Sequence, residues 1–308
     1  MRYLVTGGMG FLGSHLCESL VWAGHSVLCI DSGIIGNRRN IAHLEGRDRF
    51  QWEYHDICHP MDWGEVDGIY HLASPTAPVE TYRHAEMTLT VNSKATLLMI
   101  EMAKKYNARL LFASSIKVKD RFYFGSTYIQ GKILGEQFCQ GNGAKVARMG
   151  NIYGPRMAPD DSRVIPTYCR NVRDGRPLSV WGDGQQVDSF CYVSDAIKVL
   201  MAFMDSDHTG MMEIGSPDGI TIEALAHMVI RATGIDTPIS YESAGGGAVM
   251  VCNNASAANI RTPEALKTKN RKVPNISAAR NFLRWQPSVS LDEGIKHTFE
   301  YYKQLKEQ

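Results

Sequence analysis

Residues 6–13 read Thr-Gly-Gly-Met-Gly-Phe-Leu-Gly, directly after the apolar stretch Arg2–Val5 and at the head of the amphipathic stretch Phe11–Trp22. Glycines spaced Gly7-x-x-Gly10-x-x-Gly13 between a strand and a helix leave few folds open. Gly7 allows the tight turn, Gly10 lets the backbone approach a pyrophosphate, and Gly13 lets helix and strand pack closely. Phe11 and Leu12, lying between them, become candidate contacts to the same ligand. Phosphates would sit on the positive end of the helix, where backbone N–H groups lack partners. The motif is specific because of its place between strand one and helix one.

The following 140 or so residues keep this rhythm. Expected strands are Arg2–Thr6, Ser26–Ile30, Phe50–Tyr54, Gly68–Ala73, Arg109–Ala113 and Lys145–Met149, with helices at Phe11–Trp22, Ala85–Tyr106 and Thr127–Cys139. Apolar strands alternating with helices require a parallel sheet covered on both faces, and right-handed crossovers make it doubly wound. After Gly154 the rhythm changes to short strands (Leu178–Trp181, Ser189–Val193, Met211–Ile214, Ile239–Tyr241) among helices (Ser194–Met204, Ile222–Thr233, Ile276–Arg284, Leu291–Leu305). The expected architecture is α/β: a Rossmann doubly wound parallel sheet over residues 1–154, and a smaller α+β C-terminal lobe over 155–308 that binds substrate. The polar stretch from Ala244 to about Val273 reads as a mobile loop with one short helix.

Composition excludes several classes. The chain has 308 residues, 33 Lys+Arg and 32 Asp+Glu, giving a net charge of +1. So balanced a charge argues against nucleic-acid or anionic-membrane partners. The basic run Lys267–Lys272 reads as a solvated loop. Seven scattered cysteines without a CxxC pair suggest neither a disulfide framework nor a zinc ribbon, and fit reduced thiols in a cytoplasmic protein. No apolar run reaches the ~20 residues of a membrane span, and no leader pattern opens the chain. His55, Cys58 and His59 are ligand types packed too closely for a tetrahedral site, so no metal is expected.

Two groups of residues carry chemistry. The second strand ends at Asp31, placed to accept hydrogen bonds from an adenosine ribose and to repel a 2′-phosphate, which favours NAD over NADP. Arg38 and Arg39 follow closely and would serve a 2′-phosphate. Asp56 and Ile57, past the third strand, are placed to flank an adenine. In Tyr128-Ile-Gln-Gly-Lys132 the four-residue spacing sets both side chains on one helix face. A lysine ammonium beside a phenol favours the phenolate, making Tyr128 a base for an alcohol proton as hydride leaves. Ser114-Ser115, closing a strand, offers a hydroxyl to the reacting oxygen.

These motifs resemble the extended short-chain dehydrogenase/reductases that modify nucleotide sugars. The resemblance runs over nearly the whole chain: the glycine loop, Asp31, His71-Leu72-Ala73-Ser74, Asn92, Tyr128/Lys132, Asn151-Ile-Tyr-Gly-Pro-Arg156 and Trp181-Gly-Asp-Gly184. Leu72–Pro75 and Arg163–Pro166 look most like the UDP-glucuronate decarboxylase branch. The resemblance implies NAD held tightly, transient oxidation at sugar C4, and net epimerisation or decarboxylation through a keto sugar. It implies Leu72, Ala73, Ser74 and Asn92 on the cofactor side, with Ser74 also facing substrate. It implies Ser115 on the C4 oxygen, Tyr128 as base, Lys132 on the nicotinamide ribose, Asn151 on the sugar or phosphate, and Arg163 and Arg271 near the nucleotide. It further implies a homodimer built on the Ala85–Tyr106 helix.

Three departures shape the expectation. An acidic residue usually stands two places after the catalytic Ser/Thr. Here it is Lys117, which disfavours water elimination but leaves Lys117 able to meet a substrate carboxylate. The segment from Ile116 to Thr127 is shorter than usual. Asp188 stands where an arginine normally grips the diphosphate, and at ~4 Å it would repel a phosphate by roughly 1 kcal/mol in water. Either the substrate lacks a diphosphate, or Asp188 faces elsewhere and another residue binds it. Two rival readings are a simple dehydrogenase that releases its keto product and a dinucleotide-sensing module without turnover.

Overall fold

The computed structural model describes residues 1–120, 125–242 and 273–305. Seven strands form one sheet: β1 (Arg2–Thr6), β2 (Ser26–Asp31), β3 (Phe50–Tyr54), β4 (Gly68–His71), β5 (Arg109–Ser115), β6 (Lys145–Met149) and β10 (Met211–Ile214). Their order is β10-β6-β5-β4-β1-β2-β3 and every pairing is parallel. The chain reverses direction across the sheet between β1 and β4, so a crevice opens at their carboxyl ends. The inner strands β1, β2, β4, β5 and β6 are largely buried on both faces, while the edge strands β3 and β10 are partly exposed.

Helix α1 (Phe11–Trp22) covers one face together with α7 (Val193–Asp205) and α9 (Ser277–Leu283), and one apolar cluster runs beneath them. The other face carries α3 (Ala85–Asn92), α4 (Lys94–Lys105) and α5 (Thr127–Gly141) over a second cluster. A short α2 (Pro78–Arg83) precedes α3. The single helix expected over Ala85–Tyr106 is two, because Ser93 leaves helical geometry (φ −114°, ψ −77°) and its hydroxyl donates back to Leu89 O at 2.7 Å.

The second lobe has its own core, from Tyr153 to Tyr302. It contains β7 (Asn151–Tyr153), β9 (Val187–Tyr192) and β11 (Gly219–Thr221) in one small sheet, and β8 (Leu178–Trp181) with β12 (Ile239–Glu242) in another. Helices α6 (Val164–Arg173), α8 (Ile222–Thr233) and α10 (Leu291–Gln304) pack on them. One expectation needs correction here. Met211–Ile214, assigned from sequence to the smaller lobe, extends the large sheet beside β6, with Met211 opposite Val146. Helix α7 likewise packs on α1, so the chain returns to the first lobe before completing the second. The stretch 244–272, and with it Arg271 and the basic run Lys267–Lys272, lies outside the described residues.

Candidate active site

The carboxyl ends of β1, β2, β4, β5 and β6 surround one cleft of about 1420 Å³, its open mouth included. At its floor the glycine loop turns as the sequence requires. Gly7 sits at φ +71°, and a Cβ there would come within 2.7 Å of Ala73 Cα. A Cβ on Gly13 would lie 2.1 Å from Gly7 O. Gly10 caps α1 with no side-chain hydrogen bond to the first turn, leaving those N–H groups to a ligand. This backbone cradle fits a dinucleotide pyrophosphate, and Gly7, Gly10, Phe11, Leu12 and Gly13 all line the cleft.

Asp31 also lines it, and its carboxylate is organised by the loops around it. Oδ2 accepts from Met9 N at 3.0 Å and Oδ1 from Gly33 N at 2.9 Å. Burial pushes this carboxyl up, while those two donors hold it down. Each oxygen keeps a lone pair for a ribose hydroxyl. Arg38 is turned away from this end: it grips Glu45 at 2.7 and 2.8 Å and stacks on Trp52. Asp56 and Ile57 line the neighbouring wall with His55. The His55 ring meets the backbone oxygen of His59 at 3.0 Å, and among the described residues no group of three His, Cys, Asp or Glu is placed to hold a metal ion.

Leu72, Ala73 and Ser74 line the opposite wall. Asn92 is fully buried beside them: its Nδ2 donates to Ser74 Oγ at 2.9 Å and to Thr88 O at 2.7 Å. Its influence on a ligand therefore passes through Ser74.

Ser115, Tyr128 and Lys132 meet at the inner end of the cleft. The Ser115 hydroxyl hydrogen-bonds the Tyr128 phenol and favours its ionised form. Lys132, 2% exposed, donates from Nζ to Ala113 O at 2.6 Å, with its ammonium 5.6 Å from the Tyr128 ring centre. The expectation that Lys132 draws the tyrosine pKa down is not met. Burial pushes Tyr128 up to about 12, opposed by the Ser115 hydrogen bond and then by the Arg163 charge. Burial also brings Lys132 down to about 7. Loss of hydration disfavours the charged form of both groups.

Arg163, expected near a nucleotide, stands close enough to Tyr128 to favour its phenolate, at the head of α6. It is fixed by Asp161, with Nε 3.0 Å from Oδ1 and Nη2 2.5 Å from Oδ2. Lys117 lines the cleft on a short 3-10 turn, its N–H donating to Ser115 Oγ at 3.3 Å. Asn151 lines it too, and its Nδ2 donates to Asp188 Oδ1 at 3.2 Å and to Ser189 O at 3.3 Å. Asp188, half-exposed, is the acceptor of that Asn151 hydrogen bond and is not among the cleft-lining residues.

Sequence reasoning missed other members. Ile34, Ile35 and Gly36 line the adenosine side, and two consecutive exposed isoleucines in a glycine-flanked loop were the available signal. Ser114, named with Ser115 from the sequence, lines the inner end, but its hydroxyl donates to Glu136 Oε1 at 2.5 Å, and Arg148 grips both oxygens of that carboxylate at 2.7 and 2.8 Å; Glu136 and Arg148 were the members not foreseen. Glu136 lies one turn beyond Lys132 on the same face of α5, a spacing visible in the sequence.

Comparison with known proteins agrees with this geometry. The family model described as "NAD dependent epimerase/dehydratase family" matches residues 3–215. UDP-glucuronic acid decarboxylase 1 of Xenopus tropicalis is 34% identical over 98% of this chain and 72% of its own. UDP-glucuronic acid decarboxylase 6 of Arabidopsis thaliana is 35% identical over 96% of this chain and 87% of its own. The structure of UDP-glucuronic acid 4-epimerase from Bacillus cereus, in complex with UDP-glucuronic acid and NAD, superposes with a TM-score of 0.80 at 25% identity, covering 99% of this chain and all of the other. The chain belongs to the NAD dependent epimerase/dehydratase family.

Proposed function

We propose that this protein is an NAD-dependent enzyme that decarboxylates a UDP-linked uronic acid through a transient 4-keto sugar. The observation that carries the reading is one cleft lined by both the glycine cradle and the Ser115/Tyr128/Lys132 group. Its relatives at 34–35% identity, which carry the name UDP-glucuronic acid decarboxylase, support the choice of reaction. NAD⁺ supplies a hydride acceptor and a positive charge. Gly7, Gly10 and Gly13 give the pyrophosphate its backbone cradle, and Asp31 accepts from the adenosine ribose. Tyr128 takes the proton of the sugar 4-hydroxyl as C4 loses its hydride, and Ser115 donates to the same oxygen. Arg163, together with the positive charge of the cofactor, stabilises the phenolate that burial disfavours. Lys132 keeps its remaining N–H groups for a ribose.

The C4 carbonyl would then take up the electron pair of the breaking C5–carboxylate bond as CO2 leaves; a proton to C5, return of the hydride to C4 and return of the Tyr128 proton to the C4 oxygen would complete the pentose, and the loss of CO2 itself needs no base at the sugar. That is compatible with Lys117 where a dehydratase would need a carboxylate. With Asp188 turned to Asn151, the diphosphate is left to other groups, among which Arg271 is our candidate. We also propose a homodimer through α4 and α5, where Leu97 and Leu134 are 40% and 37% exposed on adjacent helices. The test is proton NMR of UDP-glucuronate incubated with the purified protein and NAD⁺. A UDP-pentose with no accumulating NADH is the expected result. NADH rising in step with substrate loss would instead make it a simple dehydrogenase, and a UDP-hexuronate epimer would make it an epimerase.

A further inference from the structure

His71 is fully buried at the end of β4 and touches no ligand-lining space, yet six hydrogen bonds connect it to the wall that does. Ala73 N donates to Thr6 Oγ1 at 3.3 Å, and Thr6 Oγ1 lies 2.8 Å from His71 Nδ1. On the other side His71 Nε2 is 3.1 Å from Thr96 Oγ1, which donates to Asn92 O at 2.9 Å. Asn92 Nδ2 then donates to Ser74 Oγ at 2.9 Å, and Ser74 Oγ to Pro75 O at 3.0 Å. The chain of contacts begins at Ala73 and ends at Ser74, so it closes a ring around the segment 72–75.

The direction of every link follows from donor counting. The single proton of Thr96 Oγ1 is committed to Asn92 O, so toward His71 it can only accept. Nε2 therefore carries hydrogen, and Val91 O is a second acceptor for the ring. Burial, and then the charge of Lys132, keep the imidazole neutral, with its pKa brought down to about 3. In a neutral ring Nδ1 is then bare and takes the Thr6 proton, and Thr6 Oγ1 accepts from Ala73. At the far end Ser74 has its proton on Pro75 O and one lone pair on Asn92, which leaves a lone pair for the cleft.

We propose that His71 is a positioning residue whose Nε2-protonated tautomer locks this ring, pinning segment 72–75 against the glycine loop and presenting Ser74 to the cleft as an acceptor for a ligand hydroxyl. The backbones are already in close approach, since Gly7 has no room for a Cβ beside Ala73. A reversed tautomer would have Nδ1–H donate to Thr6 and turn the Thr6 proton elsewhere, while Nε2 would face a hydroxyl whose proton is spent, so the link to Thr96 would fail. Ser74 would then be free to rotate, and the wall it belongs to would lose its register. The inference rests on the reading of the cleft as an NAD site, but not on any sugar.

Two measurements test it. In nitrogen-15 NMR of the purified protein at pH 7, with the His71 signals assigned by their loss in His71→Gln, Nε2 should be protonated and Nδ1 not. An Nδ1-protonated or cationic ring overturns the proposal. Separately, the NAD⁺ dissociation constant is measured without sugar for wild type, Thr96→Val and Thr96→Ser. Valine keeps the shape and removes the acceptor, and should weaken binding at least fivefold, while serine should restore it to within twofold. Thr96→Val binding within twofold of a wild type that binds NAD⁺ sinks the inference and leaves the function standing. A wild type that fails to bind NAD⁺ sinks the function itself. If Thr96→Val does not fold, the tautomer in the wild type still decides the question.

Discussion

At the scale of single residues, Tyr128 shows how burial sets the terms of catalysis. Burial pushes its phenol up to about 12, and the groups that favour its ionised form are Ser115 and Arg163. The tyrosine is nonetheless the one hydroxyl at the inner end of the cleft with both a hydrogen-bond donor and a cation directed at it. Tyr128→Phe should therefore lower turnover by more than tenfold while leaving NAD⁺ affinity unchanged, since the adenosine and pyrophosphate contacts lie elsewhere. Steady-state rates and calorimetric NAD⁺ titration of the same preparation check both halves. A variant that keeps over a tenth of wild-type activity would remove Tyr128 from the mechanism. Its pairing with Lys132 was legible in the sequence from the four-residue spacing. The balance of charge between them was not, because spacing carries no information about hydration.

At the scale of elements, α3 and α4 do two jobs on their two faces. Inward, Thr88, Asn92 and Thr96 supply the polar side chains behind the cofactor wall, all fully buried. Outward, α4 and α5 leave Leu97, Leu134 and the half-buried Leu98, Ile133 and Phe138 on neighbouring helices. If this apolar face is the self-association surface, sedimentation should give twice the mass of one chain. Leu134→Arg should give a monomer, because a charge would have to be buried in the contact. A wild-type monomer at micromolar concentration would overturn the dimer. The doubled helix was hidden in the sequence because the apolar spacing runs on through Ser93 without a proline or glycine to mark the break.

At the scale of the whole molecule, two buried histidines tie stability to pH. Burial, reinforced by Arg156, brings His15 down to about 4, and burial with Lys132 brings His71 down to about 3. Both lie below the ordinary value of about 6.5, so the unfolded chain binds these protons more readily than the folded one. Their full contribution is present above pH 6.5 and is lost as pH falls from there toward 4 for His15 and 3 for His71. By pH 5 the loss is on the order of 2 kcal/mol for each. Urea midpoints at pH 7 and pH 5 should show a clear decrease, smaller in His15→Gln. Equal midpoints would mean that the two rings are hydrated and titrate as in the unfolded chain. His15 also joins the lobes, its ring meeting Pro155 O at 3.0 Å.

The sequence by itself determined whatever depends on short separations along the chain. The strand–glycine loop–helix unit occupies 21 residues, and its boundaries at Arg2–Thr6 and Phe11–Trp22 follow from periodicity and from glycines whose conformations side chains resist. Tyr128 and Lys132 share a face because a helix turns every 3.6 residues. Tertiary structure decided whatever depends on partners far apart in sequence. Met211–Ile214 has a strand's composition wherever it lies, and only pairing with Val146–Met149 places it in the large sheet. Which partners Asn92 and Asp188 meet, Ser74 and Asn151, is set by packing and not by their places in the linear pattern. Arg163 reaches Tyr128 across 35 positions of chain because α6 begins at the cleft. Side-chain type and local spacing name the chemistry available. Burial and the crossing of distant segments decide which groups face the ligand and which of them keep their charge.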